Sequence, residues 1–256
     1  MAKLVNLVGK TAVVTGSSEG IGFAIAKRLG QRGANVVISS RKESNIDRAV
    51  NDLKSEGIPV LGVKCHVNLP KHRTRLLEKT LEHFGQVNIL VSNVAINTDF
   101  GPVLECSEQN WDRIFETNVK AMWQLTKEFY PHLKKQKGSN IVLVSSVAGY
   151  TPLSDAIGAY SVSKTTLFGL TKVLSQDLAS EGIRVNCVAP GIVKTKFSKV
   201  LYESPESMEK AMKMIPMKKL ADPEDISGTV VFLVSDDAKY ITGETICVTG
   251  GMQSRL

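Results

Sequence analysis

The alternation of short apolar runs with longer amphipathic stretches limits the fold of this sequence more than any other feature. The apolar runs are rich in β-branched residues and show little polar alternation, which is typical of strands covered on both faces. Strands that alternate with helices imply right-handed βαβ crossovers and a doubly wound parallel sheet. The predicted strands are Thr11–Thr15, Asn35–Ser39, Val60–Val67, Val87–Ser92, Ile141–Ser145, Arg184–Ala189 and Thr245–Thr249.

Helix-length stretches with an apolar repeat of about 3.6 residues lie between these strands. No linker or shift of composition interrupts the 256 residues. We therefore expect one α/β domain over residues 1–256, with a doubly wound, Rossmann-like, seven-stranded parallel sheet flanked by helices. The predicted helices are Ile21–Gln31, Ser44–Ser55, Lys71–Phe84, Ser107–Lys135, Tyr160–Ser180 and Pro223–Ser235.

Charge and hydropathy exclude several classes of protein. The net charge is +7, but the basic residues are scattered, and the denser patches Lys71–Arg75 and Lys134–Lys137 are interpreted as solvated helix ends. With no matching motif, we expect no nucleic-acid partner. No apolar run reaches the roughly 20 residues of a bilayer span, and the first residues lack the apolar core of a signal peptide. We expect a soluble protein with no membrane span.

The cysteines are widely separated and form no CxxC pair, so we expect no disulfide and no zinc site. The histidines lack the spacing of metal-ligand motifs, and no metal is expected. The residues concerned are Cys65, Cys106, Cys187, Cys247, His66, His72, His83 and His132.

A glycine-rich turn follows the first predicted strand. Gly16, Gly20 and Gly22 allow a tight strand-to-helix turn and a close approach of the backbone to a pyrophosphate, whose charge the helix amides would meet. The spacing G-x-x-x-G-x-G is not the common dinucleotide pattern, and alone it fits a nucleotide site or an ordinary turn equally well. Its place in the first βα unit favours a nucleotide.

The end of the second strand indicates which nicotinamide cofactor binds. An acid at this point would bind the 2′-hydroxyl of NAD, but here Ser40 is followed by Arg41 and Lys42, two cations that suit a 2′-phosphate. NADP(H) is therefore favoured. The alternative is that both cations are simply solvated residues at a strand end.

Tyr160 and Lys164 are spaced i, i+4 and so lie on one face of a predicted helix. A phenol with a pKa of about 10 is a poor acid or base at neutral pH, and a neighbouring ammonium favours the phenolate. The pair alone is weak evidence of catalysis, because such spacing is common in helices.

Together with the glycine-rich turn, Ser146 after the fifth strand and Asn118 in Thr117–Lys120, this pair makes the sequence resemble the short-chain dehydrogenase/reductase family over nearly its whole length. The resemblance implies that Tyr160 exchanges a proton with the substrate oxygen and that Ser146 hydrogen-bonds this oxygen. It implies that Lys164 lowers the pKa of Tyr160 and holds the nicotinamide ribose, and that Asn118 supports a water relay.

The resemblance also extends the cofactor site. Residues 190–195 resemble the segment that orients the carboxamide, while His66, Val67 and Asn93 resemble the adenine-side wall. His66 stands where the family often has an acid, which leaves its role open. The predicted cofactor site comprises Gly16, Ser18, Gly20, Ile21, Gly22, Ser40, Arg41, Lys42, His66, Val67, Asn93, Tyr160, Lys164, Pro190, Gly191, Ile192 and Thr195.

Ser146 and Tyr160 are 14 positions apart, one more than the family pattern, which predicts a differently shaped loop at Gly149–Gly158. A more specific resemblance is to a peroxisomal branch of the family. It implies a homotetramer that reduces ketones and α-dicarbonyls with NADPH, with retinal as a further candidate. The final residues, Ser254-Arg255-Leu256, resemble the Ser-Lys-Leu peroxisomal address, so we expect an import receptor as partner and a peroxisomal location, with the cytoplasm as a second one.

Two other functions stay open at this point. One is an epimerase or dehydratase that retains its nicotinamide, and the other is a redox sensor that holds NADPH without turnover. The complete set Asn118, Ser146, Tyr160 and Lys164 argues against the sensor. The methionine-rich region Phe197–Leu220 fits either an adaptable lid over the substrate or ordinary core filling.

Overall fold

The computed structural model describes residues 5–153 and 157–252. A parallel seven-stranded sheet runs through it in the order β3-β2-β1-β4-β5-β6-β7. The strand order reverses between β1 and β4, which places a ligand crevice at the carboxyl ends of these strands. The predicted fold class is confirmed, and the strands are β1 (Thr11–Thr15), β2 (Asn35–Ser40), β3 (Val60–Lys64), β4 (Ile89–Ser92), β5 (Asn140–Val144), β6 (Arg184–Pro190) and β7 (Thr245–Val248).

Helices cover both faces of the sheet. On one face α1, α2 and α8 pack with strand side chains in one buried apolar cluster, and on the other α3, α5 and α6 form a second. Within the described ranges, no helix is long and apolar enough to span a membrane. The helices are α1 (Gly20–Gln31), α2 (Glu43–Ser55), α3 (Pro70–Phe84), α4 (Glu108–Phe115), α5 (Ala121–Leu133), α6 (Gly158–Ala179), α7 (Pro205–Met214) and α8 (Pro223–Val234).

Two predicted elements differ substantially from the structure, while most other predicted bounds differ by one or two residues. The strand predicted over Val60–Val67 ends at Lys64, because it lies at the sheet edge and the neighbouring β2 ends at Ser40, the register partner of Lys64. The single helix predicted over Ser107–Lys135 is instead α4, a π-helical turn at Glu116–Lys120 and α5. In a π-helical turn the backbone hydrogen bonds join residues i and i+5 instead of i and i+4. Such turns are frequent at functional sites.

The prediction of a solvated patch at Lys71–Arg75 is wrong for one residue, Arg73, while Lys71 and Arg75 are exposed. Arg73 is only 2% exposed, and its guanidinium donates to Glu128 Oε1 at 2.8 Å and to the carbonyl oxygen of Val67 at 2.6 Å. A buried cation requires such partners. Arg73 therefore ties the chain after β3 to helix α5.

Candidate active site

The glycine-rich turn has the backbone geometry of an anion site. Gly16 and Gly20 both have φ of +61°, a conformation that side chains disfavour. A Cβ on Gly22 would overlap the carbonyl oxygen of Gly16 and would lie 2.6 Å from Asn93 Nδ2. Helix α1 begins at Gly20 with no side-chain cap from Glu19, so its first amides face the turn. This arrangement suits a pyrophosphate.

Asn93 holds the turn from the end of β4. Its amide nitrogen donates to the carbonyl oxygens of Thr15 and Gly16, at 3.2 and 3.0 Å. The side chain thus supports the turn, and Val94, next in sequence, packs within 3.4 Å of where a Cβ on Gly16 would lie.

The turn is also joined to the end of β2. Ser17 N–H donates to Ser39 O, and Ser39 N–H donates to Ser17 Oγ, each at 3.0 Å. These bonds place Ser40, with Arg41 next in sequence, beside the turn. Ser40 is half-buried and Arg41 is exposed. A cation is therefore available where the ribose of a dinucleotide would lie.

Lys164 and Tyr160 lie close together on α6. Lys164 Nζ is 5.6 Å from the Tyr160 ring centroid and donates to the carbonyl oxygen of Val144 at 2.9 Å. Lys164 is 1% exposed, and burial lowers the pKa of its ammonium to about 8. The lysine thus keeps its charge at neutral pH in a largely dry site.

Ser146 and Tyr160 share a hydrogen bond across the site. Burial raises the pKa of the Tyr160 phenol to about 12, and the bond from Ser146 opposes part of that rise. At neutral pH the phenol therefore carries its proton. Two hydroxyl groups meet at one point of the pocket, where a substrate oxygen could accept from both.

Asn118 lies in the π-helical turn and is fully buried. Its amide oxygen accepts from Ile96 N–H at 2.8 Å, while its nitrogen donates to Ile96 O at 2.9 Å and to Ser163 Oγ at 3.0 Å. Ser163 in turn donates to the carbonyl oxygen of Tyr160 at 2.7 Å. Asn118 therefore fixes the first turns of α6 against the chain after β4.

A pocket opens in front of Ser146 and Tyr160. It has a volume of about 680 Å³, part of it open to solvent. The Phe197 ring is 5.8 Å from that of Tyr160, and Phe197 is half exposed at the mouth. The wall is mainly apolar, which suits an uncharged substrate. Its lining includes Ile21, Phe100, Leu153, Ile157, Pro190, Gly191, Ile192, Thr195, Val200 and Leu201.

Comparison with known proteins identifies the family. A family model described as enoyl-(acyl carrier protein) reductase matches residues 16–253. Dehydrogenase/reductase SDR family member 4 of Oryctolagus cuniculus is 49% identical, over 98% of this chain and 96% of the relative. The chain belongs to the short-chain dehydrogenase/reductase (SDR) family.

Solved SDR structures have the same fold. L-sorbose reductase from Gluconobacter frateurii, complexed with NADPH and L-sorbose, has a TM-score of 0.91 and 31% identity, and the match covers 98% of this chain and 99% of that one. A short-chain dehydrogenase from Burkholderia cenocepacia in complex with NADP has a TM-score of 0.88 and 29% identity, with 96% and 98% covered.

The structure of this SDR brings the four predicted catalytic residues Asn118, Ser146, Tyr160 and Lys164 to one end of the sheet. The predicted residues Pro190, Gly191, Ile192 and Thr195 line the same pocket, and so does Ile21. Gly191 is closely packed, since a Cβ there would lie 3.0 Å from Thr249 Cα and the neighbouring backbone would have to shift slightly.

The remaining predicted cofactor residues lie in the glycine-rich turn and in the segments that follow β2 and β3. Ser18 and Val67 are buried, Lys42 is exposed and His66 is half-buried. The predicted loop Gly149–Gly158 includes residues 154–156, which lie outside the described residues, as does the tail Ser254-Arg255-Leu256. The described part begins with a 3₁₀ turn at Val147–Gly149, after which the Tyr150 ring stacks on Phe168.

Sequence reasoning missed three parts of the SDR site. Phe100 and Phe197 line the pocket from segments with no recognisable motif, although Phe197 begins the region that we predicted as a lid or as core. Ser163, inside the Tyr160–Lys164 motif, connects Asn118 to Tyr160. The only available signal for Ser163 was its position in the motif.

Proposed function

We propose that this SDR is a carbonyl reductase that uses NADP(H) to interconvert a ketone or aldehyde and an alcohol, with ketones and α-dicarbonyls as the main substrates and retinal as a candidate. The single observation that carries the proposal is the hydrogen-bonded pair of Ser146 and Tyr160, facing an apolar pocket with Lys164 behind it. The relatives named dehydrogenase/reductase and the NADPH-bound neighbour support it.

The residues present fit the cofactor. The turn at Gly16–Gly22 would hold the pyrophosphate, Ser40 and Arg41 would hold the 2′-phosphate, and Lys164 with Tyr160 would hold the nicotinamide ribose. When bound, the cofactor supplies the hydride. An aspartate or glutamate that would favour NAD is absent from the end of β2.

The residues of this chain supply the proton. In reduction, Ser146 donates a hydrogen bond to the carbonyl oxygen and Tyr160 transfers its phenolic proton there as the oxygen gains charge. The neighbouring Lys164 ammonium stabilises the phenolate that remains. Burial keeps Tyr160 protonated at neutral pH, which is the form that a proton donor requires. Asn118 holds this geometry and supports the return of a proton from solvent.

A carbonyl panel tests the proposal. Purified protein is given NADPH with aromatic ketones, α-dicarbonyls, retinal and an enoyl thioester, and both NADPH absorbance and alcohol product are followed. Stoichiometric alcohol formation from ketones or α-dicarbonyls is expected. Turnover of the enoyl thioester alone would contradict carbonyl reduction, and a change of substrate without net NADPH consumption would indicate an epimerase or dehydratase.

We also propose a homotetramer. The supporting observation is that Trp123 on α5 and Val162 and Val173 on α6 are each more than two-fifths exposed and are thus available for contact with another subunit. Light scattering after size-exclusion chromatography should give four times the mass of one chain. A monomeric mass at micromolar concentration would contradict the proposal.

We propose import into peroxisomes through Ser254-Arg255-Leu256. The supporting observation is that these residues follow β7 by only a few positions. A fluorescent protein fused to the N-terminus, with and without the last three residues, tests it. Punctate signal that coincides with a peroxisomal marker and is lost on truncation is expected. Diffuse signal from the full-length fusion would contradict it.

A further inference from the structure

We infer that His66 determines cofactor specificity together with Arg41, by taking up a proton when the ribose 2′-phosphate of NADP(H) binds. The inference rests on the proposed NADP(H) dependence and adds a role for a residue that departs from the family pattern. This proton uptake makes the affinity for NADP(H), but not for NAD(H), depend on pH.

The sheet brings His66 close to Arg41. Strands β2 and β3 are parallel neighbours in which Ser40 pairs with Lys64, and Cys65 N–H donates to Ser40 O at 2.9 Å. His66 and Arg41 therefore leave the sheet side by side at the same edge. Their proximity is sufficient for the guanidinium to act on the imidazole electrostatically.

The backbone around His66 is fixed from α3. His66 N–H donates to His72 Nδ1 at 3.1 Å, and Arg73 donates to the carbonyl oxygen of Val67 at 2.6 Å. The segment that carries His66 is thus rigid, as a specificity residue requires.

The side chain of His66 has an unmet hydrogen-bonding group. Its Nδ1 is shielded from solvent and has no partner among the described residues, although the residue is half-buried. Burial lowers the pKa of His66, and Arg41 from the β2–α2 connection and then His72 from α3 lower it further. These are the charged and titratable groups in the described part of the chain that act on His66 electrostatically, and both disfavour its cationic form.

A phosphate reverses this balance. A 2′-phosphate next to Arg41 brings a charge of about −2 at neutral pH, with a second pKa of about 6. The phosphate offsets the positive charge of the Arg41 guanidinium, and its oxygens can accept a hydrogen bond from a protonated His66 imidazole. His66 then gains a proton on binding, so affinity for NADP(H) rises as pH falls through the raised pKa that His66 has in the complex. NAD(H) has no such phosphate and gains nothing from this proton.

Titration calorimetry tests the inference on binding alone. NADP⁺ and NAD⁺ are titrated at neutral pH into wild type and His66→Gln, in two buffers with different ionisation enthalpies. The dependence of the heat on the buffer gives the protons taken up. We expect wild type to take up a fraction of a proton with NADP⁺ and none with NAD⁺. His66→Gln should lose the uptake and bind NADP⁺ about tenfold more weakly.

Three controls separate the outcomes. The phosphate itself releases the same proton fraction in both proteins, so the difference between them isolates the histidine. His83→Gln, on the exposed end of α3, should behave as wild type. If His66→Gln does not fold, the C2 proton of His66 in the NMR spectrum of wild type should show a raised pKa with NADP⁺ present.

Equal proton uptake in wild type and His66→Gln, with NADP⁺ still preferred, overturns the inference but leaves the cofactor proposal intact. Loss of uptake in His72→Gln but not in His66→Gln overturns it as well. Equal affinity of wild type for NADP⁺ and NAD⁺ instead contradicts the proposed cofactor dependence itself.

Discussion

The ammonium nitrogen of Lys164 lies 5.6 Å from the centre of the Tyr160 ring, and both side chains are buried. Burial moves their pKa values in opposite directions, to about 8 for the lysine and about 12 for the tyrosine. Both shifts reflect the cost of placing a charge in a dry site. Keeping an ammonium beside a proton donor in this buried site therefore lowers the stability of the folded protein.

The first prediction concerns that cost. A lysine pKa lowered from 10.5 to about 8 corresponds to about 3 kcal/mol of lost stability at pH 7, at 1.36 kcal/mol per pKa unit. Lys164→Met removes this penalty but also the bond to Val144, worth about 1 kcal/mol. We expect the variant to be inactive yet more stable than wild type by about 1–2 kcal/mol at pH 7.

The pH dependence gives the sign of this effect. Above pH 8 the folded protein loses the Lys164 proton while the unfolded chain keeps it, so wild-type stability rises between about 8 and 10.5. The advantage of Lys164→Met should therefore shrink towards pH 10. Urea unfolding at both pH values measures it, with Lys172→Met, an exposed lysine of the same helix, as control. A variant less stable than wild type at pH 7 would contradict the prediction.

The second prediction concerns Asn118. Asn118→Ala leaves the N–H and C=O of half-buried Ile96 without their partners and frees Ser163 Oγ. We expect stability to fall by about 2–4 kcal/mol, since each unpaired group costs about 1–3 kcal/mol. Ser163→Ala should cost less, because it leaves both Ile96 bonds intact. Equal losses in the two variants would show that the Ile96 bonds do not hold the segment.

The third prediction concerns the glycine-rich turn. Gly22→Ala places a methyl group against Gly16 O and Asn93 Nδ2, both of which shape the turn. We expect NADPH affinity to fall by at least about tenfold, because the backbone amides move away from the phosphates. Gly169→Ala, at an exposed position of α6, has nothing within 4 Å of the new methyl group and should bind NADPH as wild type does. Cofactor fluorescence titration measures the affinities, and unchanged binding by Gly22→Ala would be contrary evidence.

The fourth prediction is a reversal of cofactor preference by Ser40→Asp combined with Arg41→Ile. The new acid would accept the free 2′-hydroxyl of NAD(H) and repel a phosphate, and the lost guanidinium removes a charge-assisted bond of about 1.5–3 kcal/mol. Comparison of kcat/KM for NADPH and NADH measures the change. Arg48→Ile, at an exposed position of α2, should retain the wild-type preference. Equal efficiency with both cofactors in wild type would show that Arg41 does not determine the cofactor preference.

The sequence predicted the sheet well for a physical reason. Strands β1, β4, β5 and β6 are covered on both faces, so burial requires a continuous apolar run in each. Helix α7 was not predicted, because its short segment is polar and rich in methionine, although Ser204 and Pro205 mark its start.

The features that escaped prediction depend on distant partners. The π-helical turn is stabilised by bonds from Asn118 to Ile96 and Ser163, which lie 22 and 45 residues away. The burial of Arg73 depends on Glu128, 55 residues along the chain. The local periodicity of the sequence does not predict contacts between such distant residues. The catalytic set could be proposed from motifs, but the pocket wall around Phe100 and Phe197 required the structure.

The role of Tyr160 as the proton donor is tested most directly by Tyr160→Phe, measured for turnover of an active ketone and for NADPH binding. The substitution removes the phenolic proton but little of the surface. Tyr150→Phe, which keeps its stacking on Phe168, is the matched control and should be fully active. We predict that Tyr160→Phe lowers kcat by about 10²–10⁴-fold while NADPH binds nearly as in wild type. Retention of more than about half of the wild-type turnover would contradict the mechanism, since a general acid contributes far more than that.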